Sequence, residues 1–596
     1  MTEGAAGEVP GRMAALLHRL ARRPRLWLLL LCLALWAPGL LTLPPLDRDE
    51  SRFAQASKQM LETGNFIDIR FGAVPRYKKP VGIYWLQAAA TAVAGQGRLD
   101  EIWTYRLPSL LGAIAAVWLT FWCARAFAEA ETAFLAAALL GTTLLLAADA
   151  TIATTDAVLL ACVLAVQGVL LRVYMAARLE VQPEPGSKLA LAGWFALGLG
   201  ILIKGPVVLA VAALTGTGLS LWDRKWRWLG RLRPVTGLAL TLVIVLPWLI
   251  AIAIQSHGLF FQQSLGHDFG AKLAGGQESH GAPPGYYLLL STVTFWPAIL
   301  FLAPSVMTAI RRRSEPALRF LVMWIVPWWV IVELVPTKLP HYVLPVYPAL
   351  AMLAATWVLE KRETQKATEA EKVEKAQEGD APPQPAKEPL WDRVLPYVAA
   401  LQFTFGLVAL TAAAIMLPGL YGEGTTWWLI ALACVFAALG LSALVAFLRR
   451  ASLAAFLLAV AAVLVFYPTL TVGVTPRLEQ LWVSPRAAAA ERSLTQPGDP
   501  PPTLAGYTEP SLVFLLGTDT RLTDGRGAAD AGAAEGGLAL VEESERPAFQ
   551  ARLAELEADA NEVGSVTGFN YSRGRRVHIR IYRVKPVHDE PPPPAE

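Results

Sequence analysis

Long apolar runs separated by short polar turns dominate this chain, and their spacing predicts most of its architecture. A helix needs about 20 mostly apolar residues to cross a hydrocarbon core roughly 30 Å thick. Runs of that kind fall near 26–43, 107–127, 131–148, 156–173, 188–203, 205–222, 235–254, 287–309, 317–335, 340–359, 394–417, 427–448 and 451–470. The pattern predicts an all-α polytopic membrane protein with about thirteen transmembrane helices. The run 81–95 is apolar but short and flanked by charge, which predicts an interfacial or re-entrant helix inside a large first loop, 44–105.

The pattern breaks at 360–392, which is rich in Glu, Lys, Ala and Pro and has no apolar stripe. This stretch reads as a cytoplasmic linker between a core, 1–359, and three terminal spans, 393–474. Beyond 475 the periodicity becomes that of a small globular unit. Thr503–Tyr507 and Val513–Leu516 read as strand or short helix, Arg546–Leu556 as a helix with Phe549, Leu553 and Leu556 on one face, and Val563–Thr567 with Val577–Val584 as a strand pair. A small α/β domain over 475–588 is expected, followed by a disordered Pro-rich tail, 589–596.

Composition agrees with the apolar pattern. Over 596 residues, 54% are hydrophobic, only 17% are charged, and the mean hydropathy is +0.42, values outside the soluble range. Basic residues recur at alternate turns: Arg19, Arg22, Arg23 and Arg25, then Arg172 and Arg178, Arg224 to Arg233, Arg311 to Arg319, and Arg449 with Arg450. That bias makes their side cytoplasmic and places the N-terminus inside and the C-terminal domain outside. No small-residue cleavage site follows the first run, which argues against a cleaved signal peptide. The net charge of +4 comes largely from these arginines, so it speaks for orientation in a membrane and against nucleic-acid binding. All four cysteines lie in predicted spans, which leaves no disulfide framework and no zinc spacing.

Sorting polar residues by side gathers candidate chemistry on the outer face. Asp47, Arg48, Asp49, Glu50 and Arg52 crowd the exit of the first span. Phe53, Ala56, Met60 and Leu61 then share one helical face and Gly64 follows as a stop, so Asp49, Glu50 and Arg52 stand in the first turn of a surface helix. Carboxylates there would also suit the helix dipole, which is the plainer account of them. Lys78-Lys79-Pro80 offers positive charge for a phosphate, or for anionic lipid headgroups. Asp149 and Asp156 bracket one turn and Lys204 ends another span; Asp156 would equally cap its helix. His280, with nearby Asp and Glu, could bind a divalent cation. Thr337-Lys338-Leu339-Pro340-His341-Tyr342 fills a very short outer turn, where snorkelling and an interfacial tyrosine are the simpler explanation. Polar groups at span ends are costly against lipid and favour a shared cavity. A transporter would place ionisable groups at mid-span on broken helices, which is not the pattern here.

Together these motifs resemble the GT-C superfamily of polyprenyl-phosphate-sugar-dependent glycosyltransferases. The nearest likeness is to the family of the lipid A 4-amino-4-deoxy-L-arabinose transferase, related to the protein O-mannosyltransferases. Asp49-Glu50-Ser51-Arg52, Tyr77-Lys78-Lys79-Pro80 ahead of Tyr84-Trp85, Ala153-Thr154-Thr155-Asp156, His280-Gly281 before Tyr286-Tyr287, 337–342 and Gly506–Phe514 carry the resemblance in order. It implies a bacterial inner-membrane enzyme moving a sugar from an undecaprenyl-phosphate donor to lipid A or another envelope glycan on the periplasmic face. Protein O-mannosylation is the rival enzyme reading, and a transporter or flippase the rival of another class. Carried over, the resemblance makes Asp49, Glu50 and Asp156 catalytic, and Arg52, Lys79 and Lys338 ligands of the donor phosphate. Tyr84, His341 and Tyr342 would line the cavity, and a divalent metal would sit on Asp49 and His280, with no other cofactor. The partners implied are the donor lipid, the glycan acceptor and membrane lipids, with no nucleic acid, for a monomer. Two departures stand out: Lys78 where the amino-arabinose enzymes often have Glu, and Phe53 where a tyrosine is common. They leave a neutral or acidic sugar open.

Overall fold

A computed structural model describes residues 3–179, 186–264, 281–378 and 389–587, the side chains of 3–12 and 364–378 excepted. Each of the thirteen expected runs is helical, though not always as one straight rod. Among the described residues, ten helices are long and apolar enough to cross a membrane, from Pro24–Thr42 to Ser452–Arg477. Two further spans are bent pairs, Ala130–Thr142 with Leu144–Thr151 at 63° and Tyr286–Thr294 with Ala298–Arg311 at 117°. Val207–Asp223, at 17 residues, is a shorter apolar helix. The first bend has a local cause. Thr143 is extended, and the Leu144 amide it frees donates to Trp296 O at 3.2 Å instead of to its own helix.

The first loop folds as a layer at one end of the bundle. It contains the helix Asp49–Thr63, closed by Gly64 at φ 70°, a two-residue hairpin at Arg70–Phe71 and Val74–Pro75, and the helix Gly82–Ala94. Gly64 supplies the left-handed turn that side-chain-bearing residues disfavour. Gly82 allows a close approach: a Cβ there would sit 2.7 Å from Leu202 O, so only glycine lets this helix rest on the end of Ser187–Lys204.

Phe53, Ala56 and Met60 are buried, as the apolar face requires, but so are Ala54, Gln55, Ser57 and Lys58. The C-terminal domain covers that second face. Its five-stranded sheet runs in the order Arg521–Thr523, Thr503–Ala505, Gly537–Glu542, Arg575–Val584, Ala560–Asn570, with the first three parallel and the last two antiparallel. The parallel strands are joined through the helices Pro510–Leu516 and Gly525–Glu535. Pro510–Leu516 lies on Asp49–Thr63: Phe514 packs with Ala54, Ile102, Tyr105 and Ala153, and Lys58 Nζ donates to Phe514 O at 3.2 Å. The helix Tyr347–Glu378 runs on into the segment expected to be a linker. The expected tail, 589–596, lies outside the described residues.

One buried ion pair ties these layers together. Arg106, in the first turns of Ile102–Ala124, is fully buried and grips Glu50 with both ends of its fork, Nε to Oε1 at 2.7 Å and Nη2 to Oε2 at 2.9 Å. Its remaining donors reach Leu40 O, Leu43 O and Pro44 O, which caps the C-terminal end of Pro24–Thr42 with positive charge. Glu50 also accepts from the amides of Leu46 and Ala153 at 2.9 and 2.7 Å. Removing one partner of such a pair strands a charge in a dry site, so Arg106→Gln should lower stability by about 3–5 kcal/mol. The expected result is a clear fall in the thermal midpoint of the detergent-purified protein; an unchanged midpoint would refute the assignment.

Candidate active site

The first loop, the bent pair near 150, the end of Ser187–Lys204 and the turn at 337–342 enclose a polar cavity of about 310 Å³. The Glu50 network places its walls. The Ala153 amide is held by Glu50, Gln87 Nε2 donates to Ala153 O at 3.2 Å, and Ser109 Oγ donates to Thr154 O at 3.1 Å. With the 152–155 turn pinned in this way, Asp156 starts its helix facing the cavity, where Lys204 Nζ donates to it at 2.5 Å. Asp149 is 5% exposed and lines the same wall, and its Oδ2 has no hydrogen-bond partner among the described residues. Lys79, His341 and Tyr342 complete the far side.

Asp49 stands at the opening, 63% exposed at its side chain, with the guanidinium groups of Arg52 at 4.0 Å and Arg76 at 3.8 Å. Those separations are beyond hydrogen-bond range and leave the carboxylate free to accept from a ligand. Arg76 is 8% exposed, lies over the Phe53 ring at 5.3 Å, and its Nε has no hydrogen-bond partner among the described residues. Nothing in the order of residues singled out Arg76. It sits after a two-residue strand whose register only the fold reveals.

Three expected site residues are placed differently from the rest. The two oxygens of Glu50 are taken up by Arg106, Leu46 and Ala153, so its carboxylate acts as a structural tie with no capacity left for acid–base work. Lys338 is turned away from the cavity, donating to Val332 O at 2.9 Å and Glu333 O at 2.5 Å, and it caps the C-terminal end of Pro316–Leu334 beside the Tyr287 ring. Burial lowers the Lys338 amine below its ordinary range, with the nearby Glu333 opposing that fall. Tyr84 is fully buried behind Phe53, ring to ring at 5.4 Å, and does not reach the cavity.

His280 lies outside the described residues. Among those described, no three His, Cys, Asp or Glu side chains are grouped to hold a metal. Among the described residues, Asp49 is paired with Arg52 and Arg76, whose charges suit an anion.

The C-terminal domain closes the rim. Tyr571 accepts the Asp47 amide at 2.7 Å, Arg48 donates to Ser572 O at 2.7 Å, and Ser511 donates to the Asp47 carboxylate. Phe514 and Gln55–Thr518 hold the adjacent helix.

With this geometry in view, the likeness to other proteins is informative. Residues 78–250 match the family described as dolichyl-phosphate-mannose-protein mannosyltransferase. The chain is 29% identical over 310 residues to an undecaprenyl phosphate-α-4-amino-4-deoxy-L-arabinose arabinosyl transferase of Pseudomonas fluorescens, covering 51% of this chain and 54% of that protein. It is also 29% identical over 343 residues to the corresponding protein of Pseudomonas paraeruginosa, covering 56% and 59%. The chain thus spans about half the length of these relatives. The crystal structure of ArnT from Cupriavidus metallidurans bound to undecaprenyl phosphate superposes with a TM-score of 0.65 at 18% identity, over 93% of this chain and 97% of that one. The chain shares the fold of that ArnT structure. In this chain Asp49, Lys79, Asp156, Lys204 and His341 line one cavity.

The rim should respond to pH. Burial pushes the Asp47 carboxyl up to about 6, against the hydrogen bond from Ser511 and with the charge of Glu509 adding to the rise. An acid whose folded value exceeds its unfolded one binds its proton more tightly when folded. Its contribution is therefore present below the unfolded carboxylate range and is lost as pH rises through about 6. Thermal midpoints measured between acidic and neutral pH should fall with rising pH more steeply in the parent than in Asp47→Asn. Identical slopes in the two proteins would exclude Asp47 as the source.

Proposed function

We propose that this chain is an integral membrane glycosyltransferase that moves a sugar from an undecaprenyl-phosphate-linked donor to lipid A or another envelope glycan. The observation that carries the reading is the cavity that sets Arg52, Lys79 and Lys204 against Asp49 and Asp156 at one end of an ArnT-like bundle. The naming of the arabinosyl transferase relatives supports the donor and acceptor classes. The site would face the periplasm of the bacterial inner membrane. In support, Arg178 and Arg319 converge on Asp223 at the opposite end of the bundle, where the basic turns lie.

The chemistry follows from charge. In the donor, the anomeric carbon is bonded to an oxygen of a phosphodiester that carries one negative charge. As the acceptor oxygen forms its bond to that carbon, the carbon–oxygen bond breaks with its electron pair and leaves polyprenyl phosphate with a second negative charge. Lys79 and Arg52 line the cavity and supply positive charge that stabilises that developing charge. Asp156 holds Lys204 in the wall, and this pair sets the local field without entering the reaction. Asp49 takes the proton from a hydroxyl acceptor, or orients a phosphate acceptor, which is already nucleophilic and needs no base. Protein O-mannosylation shares the donor half of this scheme, and the match of residues 78–250 favours keeping it as the second reading. It requires a peptide hydroxyl and hence an essential base.

The test is mass spectrometry of lipid A and core oligosaccharide from a deletion strain, complemented with variants of the full chain. Deletion should remove one sugar substituent. Lys79→Ala should lower kcat/KM by about 10²–10³-fold through lost charge stabilisation. Asp49→Asn should lower it by about 10²–10⁴-fold if a hydroxyl proton is transferred. Unchanged envelope glycans on deletion would refute the acceptor assignment, and full complementation by Asp49→Asn would refute the role of Asp49.

A further inference from the structure

Asp47, Arg48 and Asp49 are consecutive, yet the two carboxylates part company. The Asp47 carboxylate accepts from Ser511 in the C-terminal domain, while the Asp49 side chain is exposed at the cavity mouth. The backbone makes this parting at Arg48, which has φ 66° and ψ −111°. That is the mirror image of extended backbone. Glycine enters it as readily as its mirror, whereas a residue with a Cβ meets a steric clash there. Arg48 also opens the helix Asp49–Thr63, since its carbonyl accepts from the Arg52 amide at 3.0 Å. Its backbone therefore sets the direction in which Asp49 and Arg52 leave the loop.

A strained residue persists only where its surroundings hold it. Contacts that hold Arg48 come from the tip of the hairpin between Ala560–Asn570 and Arg575–Val584. Tyr571 Oη accepts from the Asp47 amide at 2.7 Å, and Arg48 Nη2 donates to Ser572 O at 2.7 Å, so the tip grips the residues on both sides of the 47–48 peptide. The tip is itself braced. Asn570 and Arg573 both donate to the buried carboxylate of Glu509, at 2.8 and 3.2 Å. Beside them the Phe569 amide donates to Gln480 O at 2.7 Å, and the Gln480 amide to Tyr421 O at 2.9 Å. Tyr421 ends the helix Leu390–Tyr421, so the hairpin links the terminal spans to the first turn of Asp49–Thr63. On the other side of Asp49, Glu50 is locked to Arg106. Asp49 stands between the two clamps.

Resting on the roles of Asp49 and Arg52 proposed above, we infer that Arg48 is a positioning residue for the transfer reaction. The hairpin tip holds it in a glycine-like conformation, and that conformation aims Asp49 and Arg52 at the cavity mouth. Arg48 touches no reacting atom: its side chain is the tether, and its backbone is the part that acts.

The experiment compares Arg48→Ala with Arg48→Gly in the full chain. Both remove the tether and the charge, and they differ only in the Cβ. Alanine, released from Ser572, should relax to negative φ and carry Asp49 with it, whereas glycine can keep the parent backbone. Arg48→Ala should slow the return of the sugar substituent in the complemented deletion strain by about 10–100-fold, the effect of a misplacement of about 1 Å. Arg48→Gly should stay within about fivefold of the parent. Affinity for a fluorescent polyprenyl phosphate, measured in lipid nanodiscs, should change by less than about threefold in either variant, well under one charge-assisted hydrogen bond. Hydrogen exchange at the Arg52 amide, followed by mass spectrometry, should be faster in Arg48→Ala than in Arg48→Gly. Ordinary loosening of a loop gives the reverse order, because glycine is the more flexible residue. Equal transfer by the two variants, or slower transfer by Arg48→Gly, overturns the inference, as does equal or reversed exchange. A loss of polyprenyl phosphate affinity of about tenfold or more in both variants would make Arg48 a donor ligand, and overturns it too. Should deletion leave the envelope glycans unchanged, the transferase reading fails, and the exchange order at Arg52 still decides whether the hairpin tip sets this backbone.

Discussion

The Glu50–Arg106 pair is the constraint on which the rest of the arrangement depends. Two opposite charges are removed from water together, and their desolvation is offset because every strong donor and acceptor finds a partner. Those partners belong to different parts of the chain: the end of Pro24–Thr42, the start of Asp49–Thr63, the first turns of Ile102–Ala124 and the turn before Asp156. A loosely held loop at a membrane surface would let Asp49 and Arg52 sample many positions. Anchored by the residue between them, they are held at the cavity mouth.

The site itself divides into groups that are satisfied and groups that are not. Glu50, Lys338 and the Asp156–Lys204 pair are satisfied within the protein and shape the walls. Asp49 is exposed at the cavity mouth, and Asp149 Oδ2 and Arg76 Nε are sealed from solvent without a hydrogen-bond partner among the described residues, on residues that line the same space. Buried polar groups left open in this way raise the free energy of the folded protein. The C-terminal domain matters for the same reason. By docking Phe514, Ser511 and Tyr571 on the first loop it excludes water from the back of the helix that presents Asp49.

Much of this could be read in advance. Hydrophobic periodicity located the long apolar helices among the described residues, because spanning lipid imposes a length and composition that little else mimics, but not the polar helix Glu3–Arg22. Setting the arginine-rich turns apart from the turns that hold the remaining charges grouped Asp49, Lys79, Asp156, His341 and Tyr342, and the fold brings these to one cavity. Glu50 and Lys338 were harder. A carboxylate in a catalytic-looking motif and a lysine in a short outer turn give no local sign that each will be consumed by a buried arginine or by a helix end. Arg76 was hidden for the opposite reason: one arginine in a polar loop is unremarkable until its neighbours bury it.

The sequence by itself determined the helical class, the places of the apolar runs and the polar motifs that lie between them. These follow from solvent: lipid sorts apolar runs from polar ones along the chain, and that sorting needs no knowledge of contacts between distant residues. Only the tertiary structure decided which charges are spent and which are offered. That distinction depends on partners 56 residues away for Glu50 and Arg106, or 103 for Glu50 and Ala153, and on how completely water is removed around each. Burial and pairing are properties of the packed chain, so the division between structural and reactive charge appears only once it has folded.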